Sequence, residues 1–205
     1  TNNGAVSTGT NKGSILVTGA GNSKGMSAVN GGAIINEKDA LIQMDSLTGQ
    51  GAIGIDVQSG STGTNEGTIE VSAVKYTSAI SSAGVGSKGI NGETGKIIFV
   101  GDKENTSNAM AAKEGAEISN KGTIEVSSKN SSGMFATGEG TRAENIKIDG
   151  KEETGKISVY DSAIGMKLEN NAVGVNKGTI EVIETEKKGI GVTLKNSLFI
   201  NSGTI

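Results

Sequence analysis

The sequence predicts an all-β protein of one architecture: a right-handed, single-stranded parallel β-helix with three strands per turn. The expected turn is about 27 residues long, and about 7.5 turns fit the 205-residue chain. Three observations carry this expectation. A heptad returns at near-fixed spacing, short apolar segments alternate with period 2, and the composition favours β-branched side chains. The repeat comes first, because a fixed period changes how every other feature is read.

The heptad Asn11-Lys12-Gly13-Ser14-Ile15-Leu16-Val17 returns at residues 65–71, 120–126 and 176–182, at spacings of 54, 55 and 56. The three later copies read Asn-Glu/Lys-Gly-Thr-Ile-Glu-Val. Variants lie between them: Ala40-Leu41-Ile42-Gln43-Met44, Glu93-Thr94-Gly95-Lys96-Ile97-Ile98-Phe99 and Glu153-Thr154-Gly155-Lys156-Ile157-Ser158-Val159. A last copy starts at Asn201. The central isoleucines fall at 15, 42, 69, 97, 124, 157, 180 and 205, in steps of 27, 27, 28, 27, 33, 23 and 25. A helical solenoid of this period needs amphipathic segments with 3.6 spacing, and the motif alternates with period 2 instead.

Two further apolar segments fall in each period. One follows the heptad, as in Gly25-Met26-Ser27-Ala28, Ala52 to Val57, Gly133-Met134-Phe135-Ala136 and Gly189 to Val192. The other precedes the next heptad, as in Ala33-Ile34-Ile35, Ala116-Glu117-Ile118, Ile146-Lys147-Ile148, Ala172 to Val175 and Leu198-Phe199-Ile200. Three strands joined by Gly, Asn and Ser corners make one coil of a parallel β-helix.

Composition supports strands and closes several chemistries. Ile and Val number 36 against 6 Leu, and branched side chains suit a pleated surface better than a helix. There is no Cys, His, Pro or Trp, so disulfides, Cys and His metal ligation, Ser-His catalysis and Cys nucleophiles are excluded. The net charge of −3, with one arginine, gives no footprint for nucleic acid. No apolar run approaches the ~20 residues of a membrane span, so no direct membrane insertion of this segment is expected. Neither end carries a capping segment, and the chain reads as one β-helix segment, 1–205, internal to a longer array.

Stacking predicts specific faces. Asn65, Gly67, Ile69 and Val71 point inward, while Glu66, Thr68, Glu70 and Ser72 point outward. The isoleucines then form a ladder at ~4.8 Å spacing, in a rod of roughly 35 Å. Outward columns run Gln43, Glu70, Ile98, Glu125, Ser158, Glu181 and Thr68, Lys96, Thr123, Lys156, Thr179. Glu never faces Glu, and each Lys lies diagonal to a Glu of the next turn, so the structural unit is a two-turn module of about 55 residues. Asn11, Asn65, Asn120, Asn176 and Asn201 should share one corner, where Asn tolerates unusual backbone angles.

Candidate chemistry is sparse. Gly84-Val85-Gly86-Ser87-Lys88-Gly89 fits a dinucleotide pattern but is followed by turn residues rather than a helix, so it reads as a corner. Asp39, Asp45, Asp56, Asp102, Asp149 and Asp161 are scattered, mostly at expected corners, and the Glu column repeats along one face where a catalytic site would be unique. No calcium-binding nonapeptide occurs, and neither a cofactor nor a metal site is expected. The sequons Asn105-Thr106-Ser107 and Asn130-Ser131-Ser132 receive no role. The longest step, 33 residues, holds residues 137–144 and the only arginine; Glu139, Thr141, Arg142 and Glu144 are the candidate ligand-contact loop. Segments 101–107 and 184–188 are further charged corners. Phe99, Phe135 and Phe199 read as core, with Tyr76 and Tyr160 unassigned.

The motif Asn-Lys-Gly-Thr-Ile-Glu-Val, followed by Gly-Met-x-Ala and an apolar strand ending in Asn, resembles the passenger repeats of large type V autotransporter adhesins, most closely the fusobacterial outer-membrane type. The resemblance covers essentially the whole chain. It implies a passenger exported through a C-terminal membrane β-barrel of the same full-length chain, displayed extracellularly on the outer membrane, and acting in adhesion and virulence. The implied partner is a host-cell or partner-bacterium surface receptor, protein or glycan. The expectation is therefore a non-enzymatic adhesin segment that presents binding surfaces or acts as a spacer. A carbohydrate-active lyase or glycosidase on the same fold, and a purely structural surface rod, are the rivals.

Overall fold

A computed structural model of the chain describes residues 6–19, 21–47, 51–74, 76–101, 106–183 and 187–205. Among the described residues there is no helix; 22 short strands form three parallel sheets of eight, seven and seven strands. Each coil visits the sheets in the same order, as in Thr62–Asn65, Thr68–Val74 and Ser78–Ala83. Each strand therefore pairs only with the equivalent strands of the coils before and after it. This is the expected parallel β-solenoid of about seven turns, and the chain's β-branched runs and Gly/Asn corners account for it.

The isoleucine register is observed. Ile15 pairs with Ile42, Ile42 with Ile69, Ile69 with Ile97, Ile97 with Ile124, Ile124 with Ile157, and Ile157 with Ile180. From Ile42 to Ile157 these side chains are fully buried. Burying each one is worth about 1.5–3 kcal/mol. The opposite wall, in the third sheet, supplies small residues: Gly25, Gly54, Ala79, Ala109, Gly133, Gly165 and Gly191. The fit is close, since a Cβ at Gly165 would lie 2.5 Å from Ile180 Cγ2 and 2.6 Å from the Gly191 carbonyl oxygen. Large isoleucine against absent side chain is what fills so narrow a core without voids.

The third sheet also corrects an expectation. In its strand Ser131–Thr137, both Gly133 and Met134 face the core, which breaks the simple alternation. Parity then carries Phe135 to the outer face, where it is half-buried with Lys167 Nζ 5.5 Å from its ring centre. Phe99 is core, as read from the sequence, and Phe199 packs partly buried against the core in the last coil.

The corner asparagines do something other than relax the backbone. Asn11, Asn36, Asn65, Asn91, Asn120, Asn145, Asn176 and Asn201 end the eight strands of one sheet and face inward. None has a positive φ. Their side chains form one continuous ladder: each Nδ2 donates to the Oδ1 of the next, at 2.7–2.9 Å. The second N–H of each amide meets backbone carbonyls; Asn91 Nδ2, for instance, lies 3.1 Å from both Gly95 O and Thr123 O. Six of the eight are fully buried, so this satisfaction is required. Asn36, Asn91 and Asn145 were not expected in this set.

Corner length explains why they escaped notice. Between the asparagine sheet and the isoleucine sheet, the chain takes two residues after Asn11, Asn65, Asn120 and Asn176, four after Asn36 and Asn91, and ten after Asn145. The alternation of two and four is the two-turn module. The predicted outer columns agree with it: Gln43, Glu70, Ile98, Glu125, Ser158 and Glu181 are register partners, Lys96 lies 2.9 Å from Glu125, and Lys156 lies 3.3 Å from Glu181.

Candidate functional site

On the inner face of the asparagine sheet one column is asparagine throughout and the other keeps to glycine or apolar residues of varying size, from Gly89 to Ile118, Ala143 and Phe199, while the outer face changes in polarity and charge along the rod. The first three coils present Thr8 and Thr10, Ala33 and Ile35, then Thr62 and Thr64. The next three present Lys88 and Ile90, Glu117 and Ser119, Arg142 and Glu144. The last two place Val173 and a covered Val175, then Leu198 and Ile200, at these positions. Function is therefore sought on the middle coils, where charge departs from the repeat.

There Lys88 and Arg142 flank Glu117 in successive strands, with Lys88 Nζ 3.5 Å from Glu117, and Arg142 pairs with Glu144 two residues along its own strand. Opposite charges in neighbouring strands support the sheet by about 0.2–1 kcal/mol per pair. A shallow groove of about 210 Å³ opens on this face, lined by Lys88, Ile90, Glu117, Ser119, Lys121, Glu144 and Ile146. Among these, the Ser119 hydroxyl is buried without a hydrogen-bond partner. No carboxylate lies within 4 Å of the Lys121 ammonium among the described residues.

The predicted contact loop is only partly a loop. Gly138 and Gly140 have φ of 99° and 74°, and Glu139 stands exposed between them. Thr141 is fully buried and its hydroxyl accepts the Gly115 N–H at 2.9 Å, as Ser61 accepts from Gly31 and Ser87 from Gly60. Thr141 thus belongs to the scaffold. Arg142 and Glu144 lie in the strand Arg142–Asn145 rather than in a corner. That strand also replaces the expected strand at Ile146-Lys147-Ile148. The apolar triplet mimicked a strand, but Ala143 and Asn145 take the inward sites and set the register.

The extra residues of the 33-residue step therefore form the ten-residue corner 146–155. A turn at its tip is closed by Lys151 N to Ile148 O, 3.0 Å, and by Thr154, whose hydroxyl accepts from Ile148 N and donates to Lys151 O, both 2.9 Å. Lys151 reaches back to pair with Glu93, in the corner two coils earlier. The loop lies beside the groove, to which it contributes Ile146. Lys88, Ile90, Glu117, Ser119 and Lys121 were missed by the sequence reading. For Lys88 and Glu117 a signal was available, a charged residue at an outward position of the strand that precedes a ladder asparagine, whereas Ile90, Ser119 and Lys121 carry none.

The remaining candidates resolve as scaffold. Asp56 is not at a corner but in the strand Ile53–Gln58, buried, and held by Lys24 at 2.5 Å, Gln58 at 2.9 Å and Ser27 at 3.4 Å. Asp45 likewise lies within a strand, whereas Asp39 and Asp161 sit at corners with φ of 68° and 47°. Residues 84–87 form a corner and Lys88 begins a strand, so Ile90 and Asn91 are strand rather than turn. Asn130 is exposed, but the Ser132 hydroxyl of its sequon is buried against Asn108. Among the described residues, no group of three or more carboxylates is placed to hold a metal ion. One lysine has a shifted titration: the hydrogen bond from Lys156 to Glu181 raises it above its ordinary value. Asp102, Asn105 and residues 184–186 lie outside the described residues.

No curated protein and no solved structure matches the chain. One family does: the BigA third pectate lyase-like domain matches residues 1–146 and, in a second overlapping alignment, residues 74–205. Matching twice in overlapping spans is what a repetitive rod does, since the same coil pattern satisfies the family in more than one position. Together the spans cover every coil described above, with its isoleucine and asparagine ladders, and the chain belongs to the family of the BigA third pectate lyase-like domain.

Proposed function

We propose that the chain is a rod-like passenger segment of a cell-surface adhesin, held outside the cell by a C-terminal outer-membrane β-barrel of the full-length protein. In this reading the groove over coils four to six meets a receptor on a host cell or a partner bacterium. The observation that carries it is the contrast between an unbroken inward asparagine column and an outer face that turns from uncharged residues to paired charge beside the ten-residue corner 146–155. Uniform rods that vary on one face use that face for recognition. The family relation supports the surface role, and "pectate lyase-like" describes its fold.

The test is binding by the 205-residue chain, coated on beads, to host cells, to other bacteria and to a glycan array. Replacing Lys88, Glu117, Arg142 and Glu144 together by Thr should abolish capture and leave the melting temperature within a few degrees, because exposed substitutions change stability little. Equal capture by both forms would move the contact elsewhere or leave the segment as a spacer. The family's lyase-like fold favours one second reading, a carbohydrate-active enzyme. Turnover of a polysaccharide that disappears on replacing a single Asp or Glu would replace the adhesin reading with it.

A further inference from the structure

The corner 146–155 carries a chemical feature independent of receptor binding. Three Asn-Gly or Asp-Gly pairs occur among the described residues: Asn30-Gly31, Asn91-Gly92 and Asp149-Gly150. Such pairs are prone to intramolecular attack, because glycine's missing side chain lets its backbone nitrogen approach the preceding side-chain carbonyl carbon. In an unfolded chain the asparagine pairs react faster, since a neutral amide is a better electrophile than an ionised carboxylate. The fold reverses that order.

Gly31 N is tied twice, to Ser59 O at 3.1 Å and to Ser61 Oγ at 3.1 Å. Gly92 N donates to Asn65 O at 2.7 Å, and Asn91 is itself locked in the buried amide ladder through Asn120 at 2.8 Å. Reaction at either site requires opening the corner first, and every ~1.4 kcal/mol of opening free energy slows it about tenfold. Asp149 and Gly150 are both exposed, and Asp149 has no ion-pair partner among the described residues. Gly150 N has no acceptor among the described residues; the turn around it is closed by Lys151 N instead. A Cβ built on Gly150 would meet nothing within 4 Å, and the same holds at Gly31, so what separates the two exposed pairs is the pair of hydrogen bonds on Gly31 N.

We propose that Asp149 is a spontaneous isoaspartate site, the dominant one among these three pairs in the folded chain. The Gly150 nitrogen attacks Cγ of the protonated Asp149 carboxyl group; the N–Cγ bond forms, the C–OH bond breaks and one water leaves, giving a five-membered succinimide. Water then adds to the ring. Opening at the Cα-side carbonyl breaks its bond to nitrogen and routes the backbone through Cγ, while opening at Cγ restores aspartate. The sequence of steps is mass-neutral and needs no oxidant or cofactor. Its product adds a methylene to the backbone at the tip of the corner that Lys151 clasps to Glu93, so modification slackens the wall of the groove.

The experiment is accelerated ageing of the whole folded chain at 37 °C and neutral pH, followed by tryptic mapping. Peptide 148–151 should split into two peaks of equal mass, the new one labelled by an isoaspartyl methyltransferase. Conversion there should exceed deamidation at Asn30 and Asn91 by more than about tenfold, the factor set by the cost of opening their corners. Ageing in denaturant should restore the faster asparagine reactions. Asp149→Glu, which keeps the charge but places the carboxyl one carbon too far, should remove the second peak without lowering the melting temperature. Deamidation at Asn30 matching or outrunning Asp149 in the folded chain, or an unsplit 148–151 peptide, would overturn the proposal. Neither result bears on receptor capture, so the adhesin reading stands or falls separately.

Discussion

The strand Arg142–Asn145 has two sides that obey different rules. Inward, Asn145 repeats what neighbouring coils do and passes its amide hydrogen bond on to Asn176 at 2.9 Å, while Ala143, between Ile118 and Gly174, stays apolar but not constant. Outward, Arg142 and Glu144 follow Lys88 and Glu117 and precede Val173 and Val175, with no constant chemistry. The lesson is a division of labour within one four-residue element. The asparagine position is fixed by a ladder that runs the length of the rod, the other inward position is held only to glycine or apolar residues, and the outward neighbours are free to be chosen for contact.

That division can be broken most severely at the ladder. Asn120→Ala leaves one N–H of the Asn91 amide without its side-chain acceptor and the Asn145 side-chain carbonyl without its ladder donor, both residues fully buried. Each orphaned group costs about 1–3 kcal/mol. Denaturant unfolding should show that loss, whereas Thr64→Ala on the outer face should change stability by no more than ~0.5 kcal/mol. Next in size is the small-residue wall: Gly165→Ala forces a Cβ against Ile180 and should cost about 1–3 kcal/mol by overpacking.

How much of this was legible from the sequence depends on which side of the strand is considered. The isoleucines were, because a period near 27 and period-2 alternation both survive in every coil. Asn36 and Asn91 were not, because the four-residue corner moves them two positions further from the marker isoleucine than Asn65 stands from Ile69. Phe135 was misplaced because the adjacent inward Gly133 and Met134 shift the parity of that strand. The sequence reading of the candidate site shares Glu144 with the groove, while Thr141 is buried under the corner and Arg142 lies on the same strand. The 33-residue step announced an insertion, and the only arginine drew attention to 137–144, while the inserted residues are 146–155. Groove residues such as Lys121 come together only through stacking, which no single copy of the motif displays.

Smaller effects sharpen the comparison at the surface. Lys156 titrates above its ordinary value because it donates to Glu181. A group raised on folding contributes stability below its unfolded pKa and loses it as pH climbs through the folded one. Glu181→Gln should therefore remove a modest stabilisation present at neutral pH and fading above pH 10.5, seen as melting curves that converge with the parent at high pH. The single pair is worth only ~0.2–1 kcal/mol, the smallest change foreseen.

The claim that an unbroken chain of buried side-chain amides holds the coils in register has a direct measurement: hydrogen exchange of asparagine side-chain NH₂ groups by NMR. Asn36, Asn65, Asn91, Asn120, Asn145 and Asn176 should exchange slowly and together, with protection close to that of the central strand amides, while Asn30 and Asn171 exchange at once. Side-chain amides of Asn91 and Asn120 that exchange as fast as those of Asn30 would contradict the ladder and the register built on it.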